Sequence, residues 1–120
     1  MKILIVDDSK AKRMIVMRHL RQAGFGNHAL EEASNGVEAL ASVNAGTPDL
    51  ILCDWNMPEM NGLEFLKALR SKSVKVPFGF VTTESSPEMR QTAVTEGAAF
   101  LIAKPFTVET FETTLSPFLK

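Results

Sequence analysis

The chain has 120 residues, 45% of them hydrophobic, so it is long enough to bury one core and too short for two domains of ordinary size. Its 13 lysines and arginines nearly balance its 14 aspartates and glutamates, which leaves no broad basic surface for nucleic acid or for a membrane. The opening apolar run is too short for a signal peptide, so we expect one domain over residues 1–120 that acts as a cytoplasmic monomer.

Five short β-rich runs, several of them nearly continuous apolar runs, alternate along the chain with longer stretches of helical period. Nearly continuous apolar runs of this kind are typical of parallel strands that are covered on both faces. The third run contains the single cysteine, Cys53, for which we expect the role of an inert core thiol. The predicted strands are Lys2 to Val6, Ala29 to Ala33, Leu50 to Cys53, Pro77 to Thr82 and Ala99 to Ala103.

The segments between these runs carry the signals that start and stop helices. Side chains that can cap a helix precede the first, second and fifth helical stretches, and the fourth begins with a possible capping box that has proline in its first turn. Glycines stand where the first and fourth helices should end. These residues are, in chain order, Ser9, Gly24, Asn35, Ser85 to Glu88, Gly97 and Thr107.

Five strand–helix units with right-handed crossovers favour a doubly wound parallel sheet, an α/β fold with five helices. Among the few compact arrangements we predict the strand order 2-1-3-4-5, in which the chain reverses direction beside the first strand. Ligands of such sheets bind outside the carboxyl ends of the strands, at the point of reversal. The residues that follow each strand are therefore the candidates for a functional site.

Polar residues follow four of the five predicted strands. Asp7 and Asp8 follow the first strand, Asp54 follows the third, Thr82 ends the fourth and Lys104 follows the fifth. Any one of them has an ordinary explanation, such as a charge favoured at a helix N-terminus or a β-branched strand residue. In the predicted order, however, these four strands are neighbours, so all five side chains should meet at one edge of the sheet.

Three carboxylates at one edge repel one another unless a positive charge lies between them, and Lys104 supplies only one. An all-oxygen shell of carboxylates suits Mg²⁺, with Asp8 and Asp54 as direct ligands and Asp7 acting through water. A carboxylate surrounded by a metal, a lysine and a hydroxyl is the arrangement needed for phosphoryl transfer. We predict that Asp54 is the nucleophile, assisted by Mg²⁺, Lys104 and Thr82.

These motifs resemble the receiver domain of two-component response regulators, and the resemblance covers essentially the whole chain. The stretches DWNMPEMNG and KPFT are most similar to those of the single-domain chemotaxis regulators. The resemblance implies a flavodoxin-like fold, transfer of a phosphoryl group from a sensor histidine kinase or phosphotransfer protein to Asp54, and slow self-hydrolysis. It also implies a downstream target, such as the flagellar motor or another signalling protein, and a switch that modifies itself without being a conventional enzyme.

The resemblance also assigns roles to single positions. Asp7 and Asp8 match the acidic pair, and Asn56 matches the residue whose backbone carbonyl binds the metal. Thr82 matches the switch hydroxyl, Lys104 matches the phosphate-binding lysine, and Lys104-Pro105 matches a bond that is cis in the family. Asn56 and Glu84 match positions that tune dephosphorylation. Three positions depart from the chemotaxis pattern, at which an apolar, a small and an aromatic residue are usual: Lys12, Thr83 and Leu101.

Other readings of the same residues lead to different functions. A phosphatase of the haloacid dehalogenase type also uses aspartate, Mg²⁺, threonine and lysine, but its nucleophile lies in an Asp-x-Asp motif after the first strand, where this chain has Asp7-Asp8-Ser9. A receiver that only shuttles phosphate within a relay would carry the same residues. A pseudo-receiver would lack some of them, and a flavin-binding module would have a phosphate loop in place of the acids.

Overall fold

Five parallel strands form one sheet in the order β2-β1-β3-β4-β5, which confirms the predicted α/β fold and its strand order. The computed structural model describes residues 1–83 and 86–119. The strands are β1 (Lys2–Val6), β2 (Ala29–Ala33), β3 (Leu50–Cys53), β4 (Phe78–Thr82) and β5 (Phe100–Ala103). The α-helices of the described residues are α1 (Lys10–Leu20), α2 (Gly36–Ala45), α3 (Gly62–Ser71), α4 (Pro87–Thr95) and α5 (Val108–Leu115), and a short π-helical turn, Arg21–Phe25, extends α1.

Two strands begin one residue later than predicted. β4 begins at Phe78 because Pro77 has no backbone N–H to donate to the sheet, although the Pro77 carbonyl still accepts a hydrogen bond from Ile51 N at 3.0 Å. β5 begins at Phe100, where the pairing with Gly79 starts. The carboxyl ends of both strands agree with the prediction, so the positions of Thr82 and Lys104 relative to the sheet edge are unaffected.

The sheet is covered on both faces, as its apolar strands require, except along the edge strand β2, where Ala29, Glu31 and Glu32 are exposed. Helices α1 and α5 pack on one face, with Val16, Leu20, Phe111 and Leu115 buried there. Helices α2, α3 and α4 pack on the other face. The central strand β3 is buried along its whole length, and Cys53 within it has no exposed surface. Burial raises the pKa of the Cys53 thiol well above its usual range, which keeps the thiol protonated and unreactive.

The helix ends follow the predicted signals with one correction. Ser9, Asn35 and Thr107 accept hydrogen bonds from backbone N–H groups in the first turns of α1, α2 and α5. Gly24 and Gly97 adopt positive φ angles of 96° and 103° after α1 and α4. The cap of α4 is Ser86, which accepts from Met89 N at 3.2 Å, so Glu88 does not complete the predicted box, and Ser85 lies outside the described residues.

A complete capping box, which was not predicted from the sequence, lies at the start of α3. Asn61 accepts a hydrogen bond from Glu64 N at 2.8 Å, and the Glu64 carboxylate accepts one from Asn61 N at 3.0 Å. The box fixes the first residue of α3 at Gly62, whose N–H donates a 2.9 Å hydrogen bond to the Trp55 carbonyl. The start of α3 is thereby tied to the segment that follows Asp54.

Helix α4 is the most weakly packed of the five helices in the part of the chain that the structure describes. Only Ala93 of this helix is buried, and 66% of Val94 is exposed. Few buried contacts give a helix low local stability, so α4 can move at little cost. None of the helices among residues 1–83 and 86–119 is long and apolar enough to cross a membrane.

Candidate functional site

Three carboxylates meet at the carboxyl edge of the sheet, as the strand order predicts. Oxygen atoms of Asp7, Asp8 and Asp54 all lie within 4.8 Å of one another. Only 3% of Asp7 and 5% of Asp54 is exposed, whereas Asp8 faces solvent. A divalent cation could therefore approach from the side of Asp8 and contact oxygens that are otherwise withdrawn from water.

The pairing of β1 with β3 brings Asp7 and Asp54 together. Val6 lies opposite Cys53 in the register, and Asp54 N donates a 2.8 Å hydrogen bond to the Val6 carbonyl. Backbone N–H groups then orient the two carboxylates: Ser9 N donates to Oδ1 of Asp7 at 2.9 Å, and Trp55 N donates to Oδ1 of Asp54 at 2.8 Å. Within the described residues, Oδ2 of Asp54 accepts no hydrogen bond, so it is available to a ligand.

Lys104 brings the positive charge that the sequence predicts beside the acids. Its Nζ atom lies 3.8 Å from Oδ2 of Asp7, and its side chain is only 16% exposed. Among residues 1–83 and 86–119 this ammonium finds no hydrogen-bond acceptor. A mostly buried ammonium without an acceptor is costly, which makes it well suited to bind a phosphoryl oxygen. The Lys104–Pro105 bond is cis, in agreement with the resemblance.

The remaining predicted residues lie around this cluster. Thr82 is completely buried at the end of β4, and its carbonyl accepts a hydrogen bond from Lys104 N at 2.9 Å. Asn56 is exposed in the loop after β3, two residues beyond Asp54. The Trp55 ring lies against Phe80, with 4.6 Å between the ring centroids, and is half-buried beside the acids. Glu84 lies outside the described residues.

The donor set fits a magnesium ion. Three carboxylates supply hard oxygen ligands from positions close enough for one ion to touch, and Asp8 leaves an open side for water molecules, which Mg²⁺ retains. Asp8 and Asp54 are the residues that would hold the ion directly. When bound, Mg²⁺ would offset the negative charge of the carboxylates and of an incoming phosphoryl group.

Two further residues support the site but carried no recognisable signal in the sequence. Arg13 of α1 donates a 2.6 Å hydrogen bond from Nη1 to the Asp7 carbonyl and forms an ion pair with Glu32, Nε to Oε1, at 2.9 Å. Gly62 lies directly beneath the backbone of Asp54, where there is no room for a Cβ atom. Both contacts join segments that are distant in sequence or separated by a loop. A local sequence pattern therefore does not predict them.

Burial of the Asp7 carboxylate lowers the stability of the folded state. Burial raises the pKa of Asp7 above its ordinary value of 3.8, and the carboxylates of Asp54 and Asp8 raise it further. The hydrogen bond from Ser9 N and the charge of Lys104 offset part of this change. Between pH 3.8 and the raised pKa, the folded state binds more protons than the unfolded state, so the contribution of Asp7 to stability falls as pH rises through this window.

We therefore expect Asp7→Asn to stabilise the protein at neutral pH without Mg²⁺ by roughly 1 kcal/mol, the low end of the range for a buried polar group, because Ser9 N and Lys104 already offset part of the cost. The gain over wild type should shrink as pH falls and should vanish below pH 3.8, where Asp7 is protonated in both states. Urea unfolding at a series of pH values in the presence of a chelator measures this difference. Asp49→Asn, which changes an exposed aspartate, is the control. A gain that grows toward acid would contradict the prediction.

Comparison with known proteins agrees with this geometry. Residues 3–116 match the model of the response regulator receiver domain. The chain is 40% identical over 114 residues to the chemotaxis protein CheY-3 of Vibrio cholerae, covering 93% of this chain and 86% of that protein. It is 41% identical to the chemotaxis protein CheY1 of Helicobacter pylori, covering 89% and 87% of the two chains.

A solved structure extends this likeness to three dimensions. The chemotaxis protein CheY4 of Vibrio cholerae superposes with a TM-score of 0.85 at 42% identity, over 98% of both chains. The matched residues 3–116 include the carboxyl ends of β1 and β3, where the acidic cluster lies. On the sequence match, the shared fold and the three converging carboxylates, this chain belongs to the family of response regulator receiver domains.

Proposed function

We propose that this protein is a signalling switch that takes a phosphoryl group on Asp54 from the phosphohistidine of a sensor histidine kinase or a phosphotransfer protein. The observation that carries the proposal is the convergence of Asp7, Asp8 and Asp54 beside the ammonium of Lys104, which has no acceptor among the described residues. The carboxylates can hold Mg²⁺, and the ammonium can hold a phosphoryl oxygen. In this proposal residues 1–120 act as one cytoplasmic, monomeric unit, and no organic cofactor is needed.

Phosphoryl transfer to Asp54 requires positive charge in the right position more than it requires a general base. Oδ2 of Asp54 forms a bond to phosphorus while the bond from phosphorus to the donor's imidazole nitrogen breaks. Lys104 forms an ion pair with one phosphoryl oxygen, and the Thr82 hydroxyl donates a hydrogen bond to another. Both contacts stabilise the negative charge that develops on these oxygens. Asn56 contributes its backbone carbonyl to the metal. The N–H of Trp55 keeps Oδ1 of Asp54 turned away from the attack.

Intact-mass measurement after incubation with a small phosphodonor and Mg²⁺ tests this function. We expect one phosphoryl group per chain, no labelling when Mg²⁺ is chelated, and a change in the fluorescence of Trp55, the single tryptophan, as Mg²⁺ binds. The haloacid dehalogenase alternative predicts continuous turnover of a generic phosphomonoester instead. Such turnover, or labelling that is indifferent to Mg²⁺, would overturn the proposal.

The pathway we propose is chemotaxis or motility. The support is the similarity to proteins that are named chemotaxis proteins from two organisms, together with the stretches DWNMPEMNG and KPFT. The downstream partner would then be a component of the flagellar motor or another signalling protein, recognised by the surface of α4, β5 and α5. A shuttle within a phosphorelay is the alternative, and it predicts that the phosphoryl group passes on from Asp54 to a second histidine protein.

The output surface differs from the chemotaxis pattern at Leu101, where an aromatic residue is usual. Leu101 is half-buried on β5 and packs against the core layer that includes Ala93 of α4. A phosphoryl group adds roughly 1.5–2 negative charges. Its oxygens should draw Thr82 inward and vacate space beneath α4. Leucine is smaller than an aromatic side chain and has no hydroxyl, so it fills that space with less change at the surface.

We therefore expect the switch to centre on α4 and the segment that precedes it. Backbone amide exchange with and without a phosphoryl mimic should change over residues 83 to 96 more than over β5 (Phe100–Ala103), because α4 has only one buried side chain. Leu101→Tyr should strengthen the coupling between phosphorylation and partner binding. Changes confined to β5, with residues 83 to 96 unaltered, would contradict this prediction.

A further inference from the structure

A cavity of about 230 Å³ lies beside the acidic site, between α1 and the loop that joins β5 to α5. Lys12 and Ile15 line it from α1, and Lys104 and Phe106 line it from the loop. The lining is almost wholly apolar, so the two lysines face the space mainly with their aliphatic stems. Because Nζ of Lys104 lies 3.8 Å from Asp7, the cavity opens next to the carboxylate cluster.

Aromatic packing holds the loop side of the cavity in place. The Phe106 ring packs edge-on against His19 and tilted against Phe111, with 4.8 Å between the ring centroids in both pairs. Ile15 follows Lys12 by three residues, which places the two side chains on the same face of α1. The space therefore has a fixed aromatic wall at Phe106, and the exposed Lys12 lines the helix side with its aliphatic stem.

Helix stability does not explain Lys12. Ser9 caps α1 and accepts a hydrogen bond from Lys12 N at 3.3 Å, so Lys12 is the third residue of the helix. The N-terminus of a helix is its positive end, which favours acidic side chains and disfavours cations. Nevertheless, the first turn of α1 has no acidic residue and contains both Lys10 and Lys12. Lys12 is exposed, and of these two lysines only Lys12 lines the cavity.

Resting on the proposed function, we infer that the cavity receives the leaving group of an acyl phosphate, and that Lys12 makes the site selective for phosphodonors whose leaving group is a carboxylate. Lys104 is the ammonium nearer the acids and binds the phosphoryl group itself. Lys12, on the opposite wall and nearer solvent, is then the cation available to the group that departs.

The transfer balances without a proton or a co-reactant. Asp54 Oδ2 forms a bond to phosphorus, the bond from phosphorus to the acyl oxygen breaks, and the electron pair leaves on that oxygen. The negative charge on the departing carboxylate grows as the bond breaks, so a nearby ammonium stabilises the transition state more than the bound donor. The hydrocarbon part of the acyl group would lie against Ile15 and Phe106.

Phosphoramidate provides the contrast, because its leaving group departs as neutral ammonia. Lys12 has no charge to stabilise in that reaction. If Lys12 served only to offset the field of the carboxylate cluster, its effect would follow the net charge of each donor, and removing Lys10 from the same turn would change the ratio of the two rate constants as much as removing Lys12. Comparing the two lysines thus separates selection of the leaving group from general electrostatics.

The experiment compares second-order rate constants for labelling by acetyl phosphate and by phosphoramidate, measured by intact mass with excess Mg²⁺. Lys12→Met keeps the apolar stem and removes the charge, and Lys10→Met removes a charge from the same turn outside the cavity. We expect Lys12→Met to lower the acetyl phosphate to phosphoramidate ratio about two- to fivefold, the size of an exposed ion pair. Lys10→Met should leave the ratio unchanged, and Lys12→Arg should restore most of it.

An equal effect of Lys12→Met on both donors, or a Lys10→Met ratio that falls as far, would overturn the inference. Thermal unfolding of each variant, followed by circular dichroism, shows whether the fold is intact, and Lys12→Arg tests the charge even if Lys12→Met is unstable. Failure of the proposed function would look different, because wild-type protein would then be labelled by neither donor.

Discussion

Asp54→Asn is expected to abolish phosphorylation, from one phosphoryl group per chain to none. Asp54 combines a buried carboxylate at the end of the central strand with an Oδ2 atom that accepts no hydrogen bond within the described residues. An amide oxygen in the same place is not a nucleophile toward phosphorus. Intact-mass measurement with a small phosphodonor and Mg²⁺ gives the stoichiometry directly.

The same variant should remain folded, so the loss can be assigned to chemistry. The asparagine side chain that replaces Asp54 would keep an oxygen for the hydrogen bond from Trp55 N, and one of three mutually repelling charges would be gone. Asp49→Asn is the matched control, because Asp49 is exposed and its carboxylate accepts a hydrogen bond from Lys2 N at the far end of the sheet. It should be labelled like wild type. Native labelling of Asp54→Asn on any other residue would refute the assignment of the phosphoacceptor.

Gly62→Ala is expected to lower the free energy of unfolding by roughly 1–3 kcal/mol, the usual cost of overpacking a core. A Cβ atom on Gly62 would lie 2.2 Å from the Asp54 carbonyl oxygen and 2.9 Å from the Phe80 ring. The carbonyl belongs to the backbone that carries the phosphoacceptor, so the clash can be relieved only by moving that backbone. We therefore expect slower phosphorylation as well as lower stability.

Helix propensity alone predicts the opposite sign, because alanine is the better helix former and Gly62 is the first residue of α3. The control is Gly46→Ala after α2, where a Cβ atom would meet only the flexible end of Lys2, at 3.1 Å. That change should alter stability by no more than about 0.5 kcal/mol. Urea unfolding of both variants distinguishes the clash at Gly62 from the effect of helix propensity. If Gly62→Ala were as stable as Gly46→Ala, the backbone near Asp54 would move without cost and the prediction would be wrong.

The sequence alone was sufficient for the fold and for most of the acidic cluster. Four of the five strands are largely apolar runs, with β2 the exception, and the helix caps depend on side chains three residues away, so both are local properties that a sequence displays. Once five right-handed units are recognised, few strand orders remain, and Asp7, Asp54, Thr82 and Lys104 must share one edge. A local pattern does not decide which of two adjacent serines caps α4, because Ser85 and Ser86 are equally good caps, and in the structure Ser86 is the cap.

Only the tertiary structure decided how each of these residues is used. Asp7 and Asp8 are adjacent in sequence, yet one is almost completely buried and the other faces solvent, although their carboxylate oxygens lie within 4.8 Å of each other. The close approach of Gly62 to the Asp54 carbonyl depends on how one loop folds back, and the cavity that Lys12 shares with Phe106 depends on packing between segments far apart along the chain. Local sequence patterns do not encode such distances, which are set by how whole helices pack against the sheet.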